Sequence, residues 1–324
     1  MSLIFEKEED NMKKKLLTSS VIVLVMLFFT PCISAQTYRQ IKGWSKEVND
    51  RLEDFLNSTI TMKIRKVAVF DGDGTVMGQV PHYLADEALY QYADEHFKGK
   101  TDKFSKEKMA ILNRMVKDGN NVGKPYVEDR VHFLAGLTPE EILEMGYACY
   151  QTSYRNKFYP EMKQLIANLK EYGFEVWILT ASPEFLYQKF LAEELGIPEV
   201  NILGVKSVVV GGKLTDDIIL PIPQDDGKAN VIPTFIKTRP LVVGGNSRGD
   251  MDMLNQSCGL KIVVNPDDKT VRGKEDGPMN GYTVKGYWEK EGALIVKCHD
   301  VREPGLRFHT EEWGIRENVS NPKE

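Results

Sequence analysis

The chain has 324 residues and a formal net charge of −5, with 42% hydrophobic and 27% charged residues. This length suits one large domain or two smaller ones, and either can bury a sizeable core. Basic residues form no long block, which argues against proteins that bind nucleic acid or an anionic membrane surface through such blocks.

The N-terminal segment has the layout of a secretory signal peptide. A basic start at residues 12–15 precedes a mostly apolar stretch at residues 16–29 and an end with small residues at 31–35. The uninterrupted apolar run is about half of the ~20 residues that a membrane-spanning helix needs. We therefore predict cleavage after Ala35, export to the periplasm, and no stable membrane insertion once the signal of residues 12–35 is removed.

Two features at this end allow further interpretation. Residues 1–11 precede the basic start and are interpreted as an upstream extension. Cys32 raises the alternative of a lipoprotein anchored through this cysteine. That alternative is less favoured because Phe29, Thr30 and Pro31 precede it, so the small residue expected just ahead of a lipidated cysteine is missing.

A short apolar run that ends in two aspartates is the most informative stretch. Val67–Phe70 is too short and too rich in β-branched residues to favour a helix, so it predicts a buried strand. Asp71 and Asp73 follow at its carboxyl end, where open α/β sheets bind ligands. Two carboxylates this close repel each other unless a cation or a shared proton compensates, and Mg²⁺ prefers oxygen ligands.

The hundred or so residues after this motif have helical character and no clear strand. Tyr83–Phe97 and Lys106–Val116 are predicted as helices. Residues 138–141 form a capping box with proline at the first helical position, which predicts another helix start. Pro160 is predicted to open the next helix, and Gly173 to close it.

From residue 175 onward, predicted strands and helices alternate, which is typical of a doubly wound parallel sheet. Gly211 and Gly212 predict the turn of a small hairpin. The tail after Pro266 is predicted only to add a strand or helix. We therefore expect an α/β fold with a Rossmann-like parallel core. The predicted elements are Trp44–Leu56 ahead of the first strand, then Glu175–Leu179, Pro183–Leu195, Val200–Val205, Ala229–Ile236, Leu241–Gly244, Met251–Asn255 and Leu260–Val264.

Four short motifs resemble those of the haloacid dehalogenase-like hydrolase superfamily and occur in the family's order. They lie at residues 71–75 (Asp-Gly-Asp-Gly-Thr), 180–182, 226–228 and 245–250 (Gly-Asn-Ser-Arg-Gly-Asp). The resemblance covers roughly residues 64–268. It is nearest to the branch related to phosphoserine phosphatase and phosphorylcholine phosphatase, which also uses Gly-Asn-Ser-x-Gly-Asp.

The resemblance implies a division of the chain into two domains. Residues 36–76 and 160–324 would form the phosphatase core. The helical residues 77–159 would form the small cap domain that this superfamily inserts after the first strand.

The resemblance also implies roles for individual residues. Asp71 would be the nucleophile that forms an aspartyl phosphate, and Asp73 would protonate the leaving alcohol and later accept a proton from water. Thr180, Ala181 and Lys228 would bind the phosphate. The second aspartate favours hydrolysis of phosphate esters, because the dehalogenases of this superfamily lack it.

A magnesium ion is the implied cofactor. Asp71, the backbone carbonyl of Asp73, and the loop with Asn246 and Asp250 would hold it. The fourth motif of the family often opens with Gly-Asp, whereas this chain has Asn246, whose amide oxygen still ligates Mg²⁺ but contributes less charge. Which residues of this loop are direct ligands stays open.

Residues just after the first motif are the candidates for substrate selection. These are Gln79, His82, Tyr83, Asp86 and Glu87. The function predicted from the sequence is an exported, Mg²⁺-dependent phosphatase that hydrolyses a small phosphate monoester. Two alternatives stay open, a phosphoryl-transferring mutase of the same superfamily and a non-catalytic protein that binds a phosphorylated ligand.

Overall fold

The computed structural model of the chain describes residues 36–79, 83–118 and 123–300. The predicted signal segment, Cys32 and His82 lie outside these residues, so their roles stay predictions. No helix in the described ranges combines the length and the apolar character needed to cross a membrane. All elements named below belong to the compact unit that begins at Tyr38.

The described residues form a seven-stranded sheet with its first strand at the centre. The strands are β1 (Val67–Asp71), β2 (Glu175–Pro183), β3 (Ile202–Val210), β4 (Lys213–Ile219), β5 (Val242–Gly245), β6 (Leu260–Val264) and β7 (Leu294–Val296). Their order is β4-β3-β2-β1-β5-β6-β7. Neighbouring strands pair in parallel except for the antiparallel hairpin β3–β4. The predicted doubly wound α/β sheet is confirmed.

Helices accompany the sheet along the whole described chain. They are α1 (Lys46–Ser58), α2 (Leu84–His96), α3 (Lys103–Asp118), α4 (Lys124–Leu134), α5 (Pro139–Cys149), α6 (Pro160–Glu171), α7 (Glu184–Leu195), α8 (Asp226–Val231), α9 (Met251–Leu254) and α10 (Val284–Lys290). Short 3₁₀ or π segments join several of them, at Tyr150–Tyr154, Arg155–Lys157, Glu199–Asn201, Ile232–Ile236, Arg248–Asp250 and Lys274–Met279.

The central strand separates two apolar layers. Every residue of β1 is buried, as expected for a strand with parallel neighbours on both sides. Ala68 and Phe70 pack into one hydrophobic cluster, while Val67 and Val69 pack into a second one. Alternate side chains of β1 thus contribute to the core on both faces of the sheet. This packing fixes the position of the strand that carries Asp71 at its end.

Residues 77–159, called the insert here, lie between β1 and β2 and include helices α2 to α5. The predicted capping box is present, because Glu141 N–H donates to Thr138 Oγ1 and the Glu141 carboxylate accepts from Thr138 N–H. Helix α4 was not predicted individually; its Val127 and Val131 are buried in a small cluster with Val205 of β3. The helical character agrees with the sequence, and the exact division into core and cap stays a prediction.

Strand β2 runs four residues further than predicted. It continues to Pro183, and α7 begins only at Glu184 without a side-chain cap. Ser182 is therefore not a helix cap; its N–H donates to Thr180 Oγ1 at 3.1 Å. The pairing register with β3 shifts between Leu179 and Pro183, so the end of β2 is irregular where the second motif lies.

The tail after Pro266 adds both a helix and a strand. Trp288 of α10 is fully buried in the second hydrophobic cluster, and β7 pairs in parallel with β6. The sequence predicted an addition of one kind or the other, and the structure shows that both extend the core.

Candidate active site

The ends of β1, β2 and β5 meet at one cavity of about 160 Å³. Parallel strands all present their carboxyl ends at this edge, and the pairing of β1 with both β2 and β5 brings three of the four motifs together. The predicted residues that line the cavity are Asp71, Asp73, Gln79, Tyr83, Thr180, Ala181, Lys228 and Asn246.

Lys228 connects two carboxylates beside the cavity. Its Nζ donates to Asp71 Oδ1 at 2.5 Å and to Asp250 Oδ1 at 2.6 Å, and all three side chains are buried. Burial alone would lower the pKa of Lys228, but the charges and hydrogen bonds of Asp250 and Asp71 outweigh it and raise the pKa. The ammonium is therefore a permanent cation at the predicted nucleophile.

Asp71 stands in a desolvated and negatively charged environment. Burial raises its pKa to about 7; Lys228 opposes this effect, while Asp250 and Asp73 add to it. Its second oxygen accepts from Thr75 Oγ1 at 3.1 Å. An additional cation at this site would favour the ionised, nucleophilic form of Asp71.

Asp73 also has a raised pKa. Burial is the main cause of a value of about 6, which a hydrogen bond from Tyr187 and the charge of Arg130 partly offset. A carboxyl group with a pKa in this range exchanges protons near neutral pH, which is the property that a general acid and base requires.

The fourth motif folds around Asp250. Its Oδ2 accepts from the N–H groups of Asn246 and Ser247 at 2.9 and 3.0 Å and from Ser247 Oγ at 3.2 Å. Because its Oδ1 is bound to Lys228, both oxygens of Asp250 have partners within the protein. Asp250 therefore fixes the loop and the lysine.

The side chain of Asn246 reaches back to the first motif. A Cβ at position 74 would lie 2.2 Å from Asn246 Nδ2, and Gly74 has a φ of +84°. Only glycine is compatible with this close approach and this backbone conformation. The amide thus lies beside the segment that carries Asp71 and Asp73, and it is buried.

The second motif places Thr180 in the cavity. Its Oγ1 accepts from Ser182 N–H at 3.1 Å. A hydroxyl that accepts one hydrogen bond keeps its own proton for another acceptor. That proton is suited to a phosphoryl oxygen.

The candidates for substrate selection divide into three groups. Gln79 and Tyr83 line the cavity. Glu87 is fully buried, accepts from Gln91 Nε2 at 2.7 Å, and is not among the cavity-lining residues in the described ranges. Asp86 is buried too and pairs with Arg130. His82 lies outside the described residues, so its role stays a prediction.

The model of the haloacid dehalogenase-like hydrolase family matches residues 68–255. The chain belongs to this family. The match covers more than half of the chain and all four motifs, and it confirms the family and the hydrolase class predicted from the sequence.

Curated relatives of this haloacid dehalogenase-like hydrolase match part of it. A putative hydrolase of Mycobacterium leprae is 24% identical over 140 residues, which are 42% of this chain and 45% of the relative. A phosphoserine phosphatase of Mycobacterium tuberculosis is 24% identical over 140 residues, 42% of this chain and 44% of the relative. The chain thus spans less than half the length of these relatives.

Solved structures share the fold of this hydrolase. A conserved protein of unknown function from Anaerococcus prevotii superposes with a TM-score of 0.53 at 15% identity, covering 73% of this chain and 91% of that one. A protein of unknown function from Bordetella pertussis gives 0.54 at 15% identity, covering 72% and 99%. Both likenesses concern the fold alone.

The donor atoms around the cavity fit a hard cation. In the described part of the hydrolase, no group of three or more His, Cys, Asp or Glu side chains is arranged to hold a metal ion. Asp71, the carbonyl of Asp73 and the amide of Asn246 offer oxygen ligands only. Mg²⁺ prefers such ligands and keeps several waters, so few protein groups suffice. Its charge would also favour the ionised forms of Asp71 and Asp73, whose pKa values are raised mainly by burial.

Sequence reasoning missed several residues of the site, among them Arg130 and Tyr187; Gln224 and Asp225 line the cavity as well. Arg130 of α4 lines the cavity and is buried; its Nε donates to Asp86 Oδ1 at 2.9 Å. Its Nη2 lies 2.8 Å from the same oxygen but has no hydrogen-bond partner of good geometry in the described chain. Tyr187 of α7 donates to Asp73 Oδ1 at 3.1 Å. Neither Arg130 nor Tyr187 stands in a motif, so only the tertiary structure identifies them.

Proposed function

We propose that this hydrolase is a Mg²⁺-dependent phosphatase that cleaves a small phosphate monoester through an aspartyl phosphate on Asp71. The observation that carries the proposal is the bridge of Lys228 between Asp71 and Asp250, at 2.5 and 2.6 Å, beside Asp73 in one cavity. The curated relative from M. tuberculosis is a phosphoserine phosphatase by name, which supports a phosphate ester as substrate.

The chemistry uses the two aspartates in sequence. Asp71 attacks phosphorus, and the bond between phosphorus and the ester oxygen breaks as Asp73 gives its proton to the departing alcohol. Asp73, now a carboxylate, takes a proton from the water that attacks the aspartyl phosphate. Inorganic phosphate leaves, and both aspartates return to their starting forms.

The phosphoryl group needs donors on its remaining oxygens. The Thr180 hydroxyl and the backbone N–H of Ala181 supply them at the end of β2, and Lys228 supplies a fixed positive charge. The same ammonium holds Asp71 in one orientation, so the nucleophile does not have to be reoriented when substrate binds.

Bound Mg²⁺ would neutralise the negative charge of the phosphoryl oxygens and of Asp71. We assign its protein ligands to Asp71, the Asp73 backbone carbonyl and the Asn246 amide. Asp250 acts indirectly, since both of its oxygens are bound to Lys228 and to the loop around residues 246–247.

Arg130 supports a substrate with a second anionic group. It is a buried cation in the cavity wall that pairs with Asp86, and its Nη2, although 2.8 Å from Asp86 Oδ1, has no hydrogen-bond partner of good geometry in the described chain. A carboxylate on the alcohol part of the ester would supply that partner and suit the planar guanidinium. The cavity of about 160 Å³ suits a small molecule. An amino-acid phosphate ester such as O-phosphoserine is our first candidate.

We also propose that the protein is exported to the periplasm. The support is the layout of residues 12–35 alone. Intact-mass measurement of the protein recovered from its native cells tests this, with Gln36 as the expected first residue. Mature protein from these cells that still contains residues 12–35 would contradict the proposal.

A phosphate-release screen of the purified chain tests the proposed activity. We expect phosphate release from several small monoesters, which depends on Mg²⁺ and is abolished by EDTA. Release should be faster with O-phosphoserine than with alkyl phosphates whose alcohol part is uncharged. Added alcohols that capture the phosphoryl group in place of water would favour the mutase. Binding of phosphate esters without turnover of any of them would favour the non-catalytic alternative.

A further inference from the structure

We propose that Tyr187 is a positioning residue for Asp73 and that it couples the orientation of this carboxyl group to helix α2 of the insert. The inference rests on the proposed phosphatase function, because it concerns how Asp73 acts as acid. Tyr187 lies on α7, directly after the second motif, and no part of the proposed mechanism so far uses it.

The Tyr187 hydroxyl joins two elements that are distant in sequence. Its Oη donates to Asp73 Oδ1 at 3.1 Å and accepts from the Ala85 N–H at 3.2 Å. Tyr187 and Ala85 are fully buried, and Asp73 is only 8% exposed. Because water is largely excluded from this contact, these partners determine which way the hydroxyl points.

The direction of the hydroxyl proton follows from the chemistry of its neighbours. A backbone N–H can only donate, so Ala85 occupies a lone pair of Tyr187 Oη. Ser182 also forms a side-chain hydrogen bond with Tyr187, and because this bond lowers the pKa of the phenol, the serine hydroxyl acts as a donor there. The single phenolic proton then remains for Asp73 Oδ1. With Oδ1 engaged as an acceptor, Oδ2 is left to carry the proton that Asp73 delivers to the leaving group.

Helix α2 depends on the same hydroxyl. The first amides of a helix have no partner within the helix, and the N-cap residue Tyr83 provides no side-chain cap. Ala85 is the second residue of α2, and its N–H is satisfied by Tyr187. One hydroxyl therefore contacts both the start of α2 and the carboxyl group of Asp73, which links the two.

Aromatic packing fixes the position of the Tyr187 ring. The ring centroid lies 5.1 Å from that of Phe190, and Phe190 stacks on Tyr150 at 5.3 Å. Tyr150 provides a matched control, because it packs on the same phenylalanine but its hydroxyl donates to Glu194. Replacing either tyrosine by phenylalanine removes one hydroxyl and keeps the ring.

The leaving group of the substrate separates a positioning role from a structural one. An alkyl alcohol leaves poorly without a proton, so its departure depends on a correctly oriented Asp73. A p-nitrophenolate ion leaves without protonation, so its departure hardly depends on the acid. The value of kcat/KM reports the steps up to this departure and is therefore the quantity to compare.

The experiment measures kcat/KM of wild type, Tyr187→Phe and Tyr150→Phe with O-phosphoserine and with p-nitrophenyl phosphate. For Tyr187→Phe we expect a loss of about 10-fold to 100-fold with the alkyl ester, as for a hydrogen bond to a charged group, and less than about threefold with the aryl ester. Tyr150→Phe should change neither value by more than about threefold, since its hydroxyl does not contact Asp73.

A double variant guards against a general loss of folding. If Tyr187 acts through Asp73, adding Tyr187→Phe to Asp73→Asn should lower kcat/KM for the alkyl ester no further than Asp73→Asn alone. Equal losses with both esters, no loss with either, or fully additive losses in the double variant would overturn the positioning role. Wild type that hydrolyses neither ester would instead overturn the proposed function, so the two failures are distinguishable.

Discussion

Lys228 Nζ lies 2.6 Å from Asp250 Oδ1, while the other oxygen of Asp250 accepts the N–H groups of Asn246 and Ser247. Asp250 therefore joins the lysine to the loop of the fourth motif. This relationship assigns different tasks to the two polar residues of that loop. Asp250 fixes the site, and Asn246 presents its amide towards the first motif.

The first prediction separates these tasks in a Mg²⁺ titration of initial rates. Asn246→Ala should raise the Mg²⁺ concentration for half-maximal rate by about tenfold or more, because one oxygen ligand is lost. Asn246→Asp should stay active and need less Mg²⁺, since a full charge replaces a dipole. Asp250→Asn should mainly lower kcat, through a misplaced Lys228. An unchanged Mg²⁺ requirement in both Asn246 variants would place the metal elsewhere.

The second prediction concerns stability against pH in the absence of metal. The pKa values of Asp71 and Asp73 are raised from 3.8 to about 7 and about 6, so the folded state holds protons that the unfolded state releases. In EDTA, the contribution of these two groups to the free energy of unfolding should be greatest below about pH 4. It should fall as pH rises to about 7, by up to about 1.4 kcal/mol per pH unit for each group.

The lowered pKa of Asp250 acts in the opposite direction. Its stabilising contribution is lost only as pH falls below the ordinary carboxyl range, outside that window. Urea unfolding at several pH values provides the measurement, with Asp71→Asn as control. That variant should show a weaker dependence between about pH 4 and pH 7. A dependence in Asp71→Asn that is as steep as in wild type through this interval in EDTA would contradict the cause assigned to the pKa shifts.

The third prediction tests whether Arg130 binds an anionic group of the substrate. Arg130→Lys keeps the charge beside Asp86 but loses the planar guanidinium, so KM for O-phosphoserine should rise about 10-fold or more while kcat changes less. The KM for alkyl phosphates whose alcohol part is uncharged should change little. Arg114→Lys is the matched control, because Arg114 makes a bidentate pair with Asp129. Equal increases in KM for esters with and without a carboxylate on the alcohol part would contradict the proposal that Arg130 binds this carboxylate.

Sequence reasoning located the parts of the site that follow strand ends. The run Val67–Phe70 is apolar and rich in β-branched residues, so it predicted a strand, and Asp71 is the last residue of that strand. Lys228 was placed by its motif, although its contacts with Asp71 and Asp250 join residues far apart in the chain. Local patterns thus predicted the elements, and the sheet then brought their ends together.

Arg130 and Tyr187 could not be found in this way. Arg130 lies in α4, where charged residues alternate with apolar ones, and its partner Asp86 is 44 residues away. In the sequence, Tyr187 is indistinguishable from an aromatic residue of the core. The role of its hydroxyl is visible only in its contacts with Asp73 and Ala85. Side chains whose role depends on long-range contacts leave no periodic signal in the sequence.

The end of β2 shows a similar limit. Pro183 normally favours a helix start, so a pattern-based boundary at that residue is reasonable. The strand nevertheless continues to Pro183, because the edge beside β3 is irregular there and Ser182 N–H is satisfied by Thr180 Oγ1. This local contact between Ser182 and Thr180 lies at the irregular strand end, which the sequence pattern alone does not encode.

The most direct test of the central claim is to trap phosphate on Asp71. The Asp73→Asn variant, mixed with labelled p-nitrophenyl phosphate and Mg²⁺ and quenched in acid, should accumulate phosphate on the peptide that contains Asp71, because phenolate departure needs no acid whereas attack of water needs the base. Asp71→Asn should carry no label and lose on the order of 10³-fold or more in kcat. Near-normal turnover in Asp71→Asn, or label on another residue, would contradict the account.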